Sequence, residues 1–600
     1  MSMINDFVVR FANVNGTGSA SANYLFAKSI FRMGIPVSPK NIFPSNIQGL
    51  PTWYEVRVSE MGYLGRREGV DVCVSVNPQS MKQDVASVKP GGYFMYDNTK
   101  PLADEFVRDD ITYLGIPLMA TCNREYTDPR QRQLFKNVMY VGALSALLEI
   151  ELSVLEEILG EQFAGKEKLI APNVKALKLG IDFVQQNLTY PLPMRCERRD
   201  LVGESILVTG NSASGLGAVY GGATVVAWYP ITPSTSVAEA FHEYASEYRI
   251  DSDGRANFAI VQAEDELAAI GMVIGASWNG SRSFTATSGP GISLMNEFLG
   301  LAYFAEIPVV LVDVQRTGPS TGMPTRTQQS DLTSVAYASH GDTKHVMLFP
   351  ATPTECFNMT ADAFDFAERL QTPIMVMSDL DLGMNDHMCA PFTWDDERVY
   401  DRGKVYGAEE LELIKRYGRY EDVDGDGIPY RTIPAVHPTK GSYVVRGSSR
   451  DEFAVYTEDS AAYVRNMERL AKKWNTAKTL LYTPVRGPRD EGAQIHGTIY
   501  FGTTTDSAQE ALDILRGQGH ALDALRLRSF PFHESVLEFI NTHQRIYVIE
   551  QNRDAQMRSL LITELNVDPA KLIAVLNYDG MPITADTITT QILNNLNPPS

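Results

Sequence analysis

Four motifs decide the fold: Y-P-I-T-P-S-T-S (Tyr229 to Ser236), A-E-D-E-L-A-A-I-G (Ala263 to Gly271), T-S-G-P-G (Thr287 to Gly291) and V-D-V-Q-R-T-G-P-S-T-G-M-P-T-R (Val312 to Arg326). Each follows or contains a short apolar run: V-V-A-W before Tyr229, F-A-I-V-Q-A before Glu264, S-F-T-A-T before Ser288, and V-V-L-V-D-V before Gln315. Such runs are the signature of strands buried on both faces of a parallel sheet. Helical patterns lie between them, S-V-A-E-A-F-H-E-Y-A and I-S-L-M-N-E-F-L-G-L-A-Y-F-A. The spacing predicts an α/β sheet. Ligands of such sheets sit beyond the carboxyl ends of the strands, so the four polar motifs point into one crevice.

At 600 residues the chain is too long for one core, and several domains are expected. It is 44% hydrophobic and 21% charged, ordinary for a globular protein. No apolar run reaches transmembrane length, and M-S-M-I-N-D-F lacks a basic leader, so a cytoplasmic protein is expected. The net charge of −20 disfavours nucleic acid and anionic membrane as partners. The five cysteines (Cys73, Cys122, Cys196, Cys356, Cys389) are scattered and form no C-x-x-C, so they read as reduced structural thiols. An iron–sulfur cluster needs grouped thiolates, so none is expected on this chain.

Residues 1–195 read as a first α/β domain. F-V-V-R-F-A-N-V is a strand, and N-G-T-G-S-A-S-A-N (Asn15 to Asn23) turns into the helix Y-L-F-A-K-S-I-F-R-M-G. A small-residue turn at a helix N-terminus can hold an anion. The match to G-x-G-x-x-G is partial, since Ser21 stands at the third glycine and Lys40 and Asn41 occupy the place of an acidic ribose ligand. A tight turn that packs helix on strand explains it equally well. Y-P-L-P-M-R-C-E-R-R-D marks a boundary, and residues 196–394 form the second domain. Residues 395–460 are an acidic, aromatic, weakly periodic insertion and linker. They contain D-V-D-G-D-G-I-P-Y, where Ile433 stands at the position an EF-hand needs for its bidentate Glu, so a turn-rich loop is expected. Residues 461–600 return to alternation, with a helix from Ala461, the strands G-T-I-Y-F-G-T-T and Q-R-I-Y-V-I-E-Q-N, and the helix S-A-Q-E-A-L-D-I-L-R.

The motifs from Tyr229 to Arg326, with S-I-L-V-T-G-N-S-A-S-G-L-G-A before them, resemble the alpha subunit of the 2-oxoacid:ferredoxin oxidoreductases. The similarity is greatest to the 2-oxoglutarate type with a fused gamma domain. The resemblance implies a Rossmann-like gamma domain, a pyrimidine-binding-type domain of the thiamine diphosphate enzymes and a transketolase C-terminal-like domain. F-P-S-N-I-Q-G-L-P-T-W-Y (Phe43 to Tyr54) resembles a stretch of fused-gamma members. In related enzymes that domain covers coenzyme A, which makes Gly16, Gly18 and Ser19 candidates for its phosphates.

Oxidative decarboxylation of a 2-oxoacid needs an electron sink, which thiamine diphosphate supplies. A Glu against the pyrimidine N1′ gives acid–base help. Glu264, Asp265 and Glu266 compete for that place; the family pattern, a Glu five residues before the Gly of G-x-V-x-G-A, selects Glu266 through Gly271. Acids loaded on a helix N-terminus for its dipole account for the others. Ser288 and Gly289 of T-S-G-P-G are further cofactor candidates. Arg316, after a strand and inside a G-P-S-T-G loop, suits a bidentate grip on a carboxylate. Thr232, held between two prolines, resembles the family's hydroxyl donor. Arg326, Arg446 and Arg450 are unranked candidates for the distal carboxylate of 2-oxoglutarate.

The chain has no pyrophosphate/Mg²⁺ motif and no cysteine cluster, so it reads as half an active site. The resemblance implies a beta subunit bringing Mg²⁺ and a [4Fe–4S] cluster, an (αβ)₂ assembly, and ferredoxin docking on the partner. Another 2-oxoacid such as pyruvate, a non-catalytic scaffold, and an NAD enzyme using the Gly16 turn are the alternatives.

Overall fold

The computed structural model describes residues 3–45, 49–443, 446–487 and 494–596; residues 46–48 of the Phe43–Tyr54 stretch lie outside them. The chain divides into two compact units. The first comprises Met1–Leu207 with Asn385–Ala390 and Thr584–Asp586, and the second holds the remainder.

In the first unit, alternating and continuous apolar runs build a six-stranded sheet. Its order is Val37–Ile42, Pro51–Ser59, Asp6–Val14, Val70–Ser75, Val88–Asp97, Thr112–Ile116. The first two pairings are antiparallel and the last three parallel. Helices Ser19–Arg32, Pro129–Leu147, Leu152–Gln162 and Ile170–Asn187 pack their apolar faces on Phe7, Val9, Phe11 and Val72 to make one core. Parallel strands joined through helices are what the α/β reading requires.

In the second unit the four strands expected from the motifs are present as Val225–Trp228, Ala259–Gln262, Ser283–Thr287 and Val309–Gln315. They are neighbours in a seven-stranded sheet ordered Ala259–Gln262, Val225–Trp228, Ser283–Thr287, Val309–Gln315, Pro373–Asp379, Val346–Leu348, Ser529–Phe530. The first six run parallel, which brings the carboxyl ends of the motif strands to one edge. The seventh arrives from far along the chain and pairs antiparallel through Met347 with Phe530. A second sheet, ordered Val485–Arg486, Asp523–Leu527, His496–Phe501, Arg545–Glu550, Leu572–Leu576, is parallel except at its first pairing. One apolar cluster takes side chains from both sheets, among them Leu311, Met375, Phe501, Leu525 and Val548. The α/β architecture read from the sequence is therefore the architecture observed.

Among its described residues, the acidic insertion carries one short helix, Ala408–Leu413, in otherwise irregular backbone. The three aspartates of D-V-D-G-D-G pair with lysines: Asp424 and Asp426 meet Lys404 Nζ at 2.7 and 2.8 Å, and Asp422 meets Lys472 at 3.1 Å. The 21-residue helix Ser460–Leu480 that follows is anchored by charge. Arg469 and Lys473 reach the fully buried Glu306 at 2.6 and 2.8 Å.

Candidate active site

The helix Glu266–Trp278 starts where the acids cluster because Asp265 caps it, its carboxylate accepting from the Ala268 N–H at 2.7 Å. Capping consumes Asp265, and Glu264 is exposed, whereas Glu266 turns inward and is 5% exposed. The three acids that compete in the sequence thus separate by environment.

Glu266 faces the T-S-G-P-G turn. A β-carbon built on Gly291 would lie 1.9 Å from Thr287 Oγ1 and 2.9 Å from Glu266 Cγ. One on Gly289 would lie 2.6 Å from Asp331 Oδ1. Both positions demand glycine by close approach rather than by turn geometry. Ser288, in extended backbone, precedes the helix Gly289–Ala305, and its Oγ and Thr287 Oγ1 are buried without a hydrogen-bond partner among the described residues.

Arg316 follows the strand Val309–Gln315 and is itself buried. Its Nη1 donates to the Thr232 carbonyl at 2.7 Å, which ties the fourth motif to the first. Its Nε finds no partner among the described residues. Burial draws its pKa below the ordinary guanidinium value, and Asp331 and Glu266 oppose that shift. Thr232 lies exposed in the turn that leads to the helix Thr235–Tyr248.

Arg316 and Gly289 wall a cavity of about 490 Å³ together with Gln328, Asp331, Asn552 and Tyr578, whereas Thr232, Glu266 and Ser288 do not line it. Asp331, Gln328 and Asn552 were not among the sequence candidates for catalysis. Asp331 is pushed up to about 7 by burial, while Arg316 holds it back. Asp313 is fully buried, and burial together with Asp331 raises it well above the carboxylate range. In the motif Q-R-I-Y-V-I-E-Q-N, whose strand Arg545–Glu550 belongs to the second sheet, the polar residues divide. Glu550 caps the helix Gln556–Leu565, accepting from Met557 N–H at 2.8 Å and Arg558 N–H at 3.1 Å, a structural role. Asn552 donates to Gln329 O at 3.0 Å and reaches the cavity wall.

The three distal-carboxylate candidates scatter. Arg450 is fully buried between the rings of Phe304 and Tyr420 and donates to Phe304 O. That contact is at the far end of the 17-residue helix Gly289–Ala305, about 22 Å from Gly289 at 1.5 Å per residue. Arg446 sits over Tyr456. Arg326 lies against Gly580 in the same stretch as the wall residue Tyr578.

In the first unit Gly16 and Gly18 adopt φ of 84° and 73°, and Ser19 opens the helix Ser19–Arg32. None of the three lines the cavity of about 610 Å³ there; Thr17 between them does, with Val14, Ser75, Tyr96 and Lys136. All five cysteines are buried, and none is joined in a disulfide. No helix among the described residues is long and apolar enough to cross a membrane.

The family model described as "Pyruvate flavodoxin/ferredoxin oxidoreductase, thiamine diP-bdg" matches residues 216–399, and "Pyruvate ferredoxin/flavodoxin oxidoreductase" matches residues 8–183. The chain is 30% identical to 2-oxoacid:ferredoxin oxidoreductase 2, subunit alpha, of Aeropyrum pernix, over 95% of this chain and 94% of that protein. It is 33% identical to the 2-oxoglutarate synthase subunit KorA of Methanothermobacter marburgensis, over 58% of this chain and 88% of that one. Among solved structures, the 2-oxoglutarate:ferredoxin oxidoreductase of Magnetococcus marinus, with 2-oxoglutarate, coenzyme A and succinyl-CoA bound, superposes with a TM-score of 0.87 at 28% identity, covering 99% of this chain and 100% of that one. A match to a thiamine diphosphate-binding family model, a buried Glu packed beside the glycines of T-S-G-P-G, and a near full-length match to an alpha subunit converge: the chain belongs to the 2-oxoacid:ferredoxin oxidoreductase family, among its alpha subunits.

Proposed function

We propose that this chain is the alpha subunit of a 2-oxoglutarate:ferredoxin oxidoreductase, acting with a beta subunit. Its reaction is the CoA-dependent oxidative decarboxylation of 2-oxoglutarate to succinyl-CoA and CO₂, with the electron pair passed to ferredoxin, or the reverse carboxylation. The observation that carries the reading is Arg316: a buried cation on the cavity wall, tied to the Thr232 backbone and electrostatically coupled to Glu266. The relatives named for 2-oxoglutarate and the 2-oxoglutarate-bound neighbour support this substrate over pyruvate.

The residues fit thiamine diphosphate. Glycines at 289 and 291 let the turn pack against Asp331, Thr287 and Glu266 where a β-carbon would collide, and Thr287 and Ser288 offer uncommitted buried hydroxyls. Bound there, the cofactor supplies the electron sink for loss of CO₂. Glu266 is the residue to hold a proton at the pyrimidine N1′. Arg316 binds the substrate carboxylate by paired N–H donors, and its tether to Thr232 O fixes the angle of approach. The Thr232 hydroxyl, exposed at the same turn, donates to the substrate carboxylate or carbonyl. In the first unit, Gly16, Gly18 and Ser19 present a helix N-terminus to the CoA phosphates, with the neighbouring cavity open to its organic portion. Mg²⁺ and the [4Fe–4S] cluster belong to the beta subunit, as does ferredoxin docking, because this chain carries −20 net charge and no grouped thiolates.

The test is co-purification with the beta chain, then viologen or ferredoxin reduction by 2-oxoglutarate and by pyruvate, each with and without CoA. Activity with 2-oxoglutarate in the two-chain complex supports the reading. Activity with pyruvate alone replaces the substrate, and full activity of this chain by itself refutes the half-site.

A further inference from the structure

We propose that Asp331, backed by Asp313, is a positioning residue that couples capture of the 2-oxoacid carboxylate at Arg316 to uptake of one proton. The inference rests on the reading of Arg316 as the carboxylate anchor.

Three observations place the pair. Asp313 is fully exposed to nothing but protein, and neither of its carboxyl oxygens finds a hydrogen-bond partner among the described residues. It sits in register with Thr287, whose hydroxyl is also unpartnered and which borders the T-S-G-P-G turn. The Asp331 backbone is fully committed, its N–H donating to Gln315 Oε1 at 3.1 Å and its carbonyl accepting from Val335 N–H at 2.9 Å. Its carboxyl is not spent on capping the helix Leu332–Ala336, and Oδ2 is buried without a partner among the described residues. The carboxyl instead crowds Gly289 on the wall of the cavity, where Arg316 also lies.

Two buried carboxyls that sense each other do not both ionise readily, and their protons belong to the pair. Every charged group facing them has a definite sign. On the same strand and its continuation are Asp313 and Arg316. At the start of the helix Glu266–Trp278 is Glu266, the adjacent strand ends in Asp379, and Asp381 follows it in the helix Leu380–Met384. The first turn of the helix Gly289–Ala305 brings no acidic side chain, only its N–H groups. The C-terminal loop brings Arg553 and Asp554, which are exposed and paired with each other at 2.7 Å. Arg316 is therefore the cation that favours the ionised form of Asp331.

A substrate carboxylate arriving at Arg316 competes for that guanidinium and repels the Asp331 anion. Both effects favour protonation of the pair. The proton comes from solvent, resides on a carboxyl oxygen of Asp331 or Asp313, and returns when the anion leaves. The protonated Asp331 then offers an O–H donor to the bound anion where the ionised form offers only repulsion.

The probe is oxamate, an unreactive 2-oxoacid analogue, titrated into the full chain co-purified with its beta subunit. Calorimetry in buffers of different ionisation heat counts the protons taken up. The expected result is uptake approaching one proton at pH 8, with Kd weakening about tenfold per pH unit above roughly 7. Asp331→Asn abolishes the uptake and flattens the Kd profile from pH 6.5 to 8.5. Asp313→Asn removes a carboxyl that is already protonated when Asp331 titrates, so the uptake persists at much the same pH. Proton uptake that persists in Asp331→Asn overturns the inference, as does oxamate binding without uptake in the wild type, or no binding at all. The viologen assay separates the two claims: 2-oxoacid-dependent reduction with proton-neutral oxamate binding leaves the function standing and removes only the coupling.

Discussion

Asp331 and Gly289 meet so closely that no side chain fits between them, with only 2.6 Å from a β-carbon at 289 to Asp331 Oδ1. The contact joins the N-terminus of one helix to the loop that follows Arg316. The catalytic edge is thus packed as tightly as a core. Gly289→Ala must displace either the Asp331 carboxyl or the turn. It is expected to cost about 1–3 kcal/mol of stability. A shift of about 1 Å at the turn costs on the order of a hundredfold in kcat. Thermal melting and steady-state viologen reduction, measured side by side, check both; an unchanged kcat removes the turn from the cofactor cradle.

Glu266→Gln is expected to lower kcat by about 10²–10⁴, the usual contribution of a positioned acid–base group. Glu264→Gln is expected to stay near wild type, since Glu264 is exposed. Equal loss in the two variants would mean the buried position of Glu266 has no catalytic meaning.

Arg316→Lys keeps the charge but loses the forked donor set that reaches Thr232 O and a carboxylate together. Removing one partner of a buried charged pair costs about 2–5 kcal/mol, so kcat/KM for the 2-oxoacid is expected to fall about a hundredfold or more. Comparable kcat/KM in this variant, measured with 2-oxoglutarate at saturating CoA, would move the anchor elsewhere.

Away from the site, Glu306 is the fully buried anion that Arg469 and Lys473 share. Burial opposes its ionisation, but Arg469 and Lys473 prevail and hold its pKa far below the ordinary carboxylate value. A depressed carboxylate contributes stability that is present above its unfolded pKa and lost as pH falls through the folded one. The clamp therefore persists at pH 4. Glu306→Gln strands the buried cations and is expected to cost about 3–5 kcal/mol. Burial draws Lys473 down to about 8, so the folded state disfavours its charge, and stability from this group rises between about pH 8 and the ordinary lysine value. Lys473→Met is accordingly expected to cost less than Glu306→Gln. Urea melts at pH 7 rank the two, and the reverse order would contradict the assignment.

The parts of the fold that the sequence makes legible are those with local causes. Val225–Trp228, Ser283–Thr287 and Val309–Gln315 are short apolar runs closed by polar residues, and that pattern alone marks buried parallel strands. Arg316 and Thr232 stand out because they end such strands. Asp331 lacks any such mark: its importance comes from Gly289 and Asp313 across the fold, and nothing in Q-Q-S-D announces them. Asn552 reaches the cavity wall only because a distant strand ends there. Arg450 shows the converse. It stands among the arginines that could meet the distal carboxylate, yet its guanidinium is sandwiched between Phe304 and Tyr420, and only tertiary packing reveals this. The seventh strand, Ser529–Phe530, is two residues long and precedes a proline, too little pattern to read in advance.

That seventh strand also sets a timetable for synthesis. The edge of Val346–Leu348 has its mate roughly 180 residues later in the chain. At about 5–20 residues per second, translation leaves an unpaired, apolar strand edge for on the order of ten to forty seconds. An open edge of that kind is a template for pairing with other chains. The nascent polypeptide is therefore most vulnerable to aggregation after its central strands emerge and before Phe530 does, and a truncation just upstream of Ser529 condemns the second unit to that exposed condition permanently.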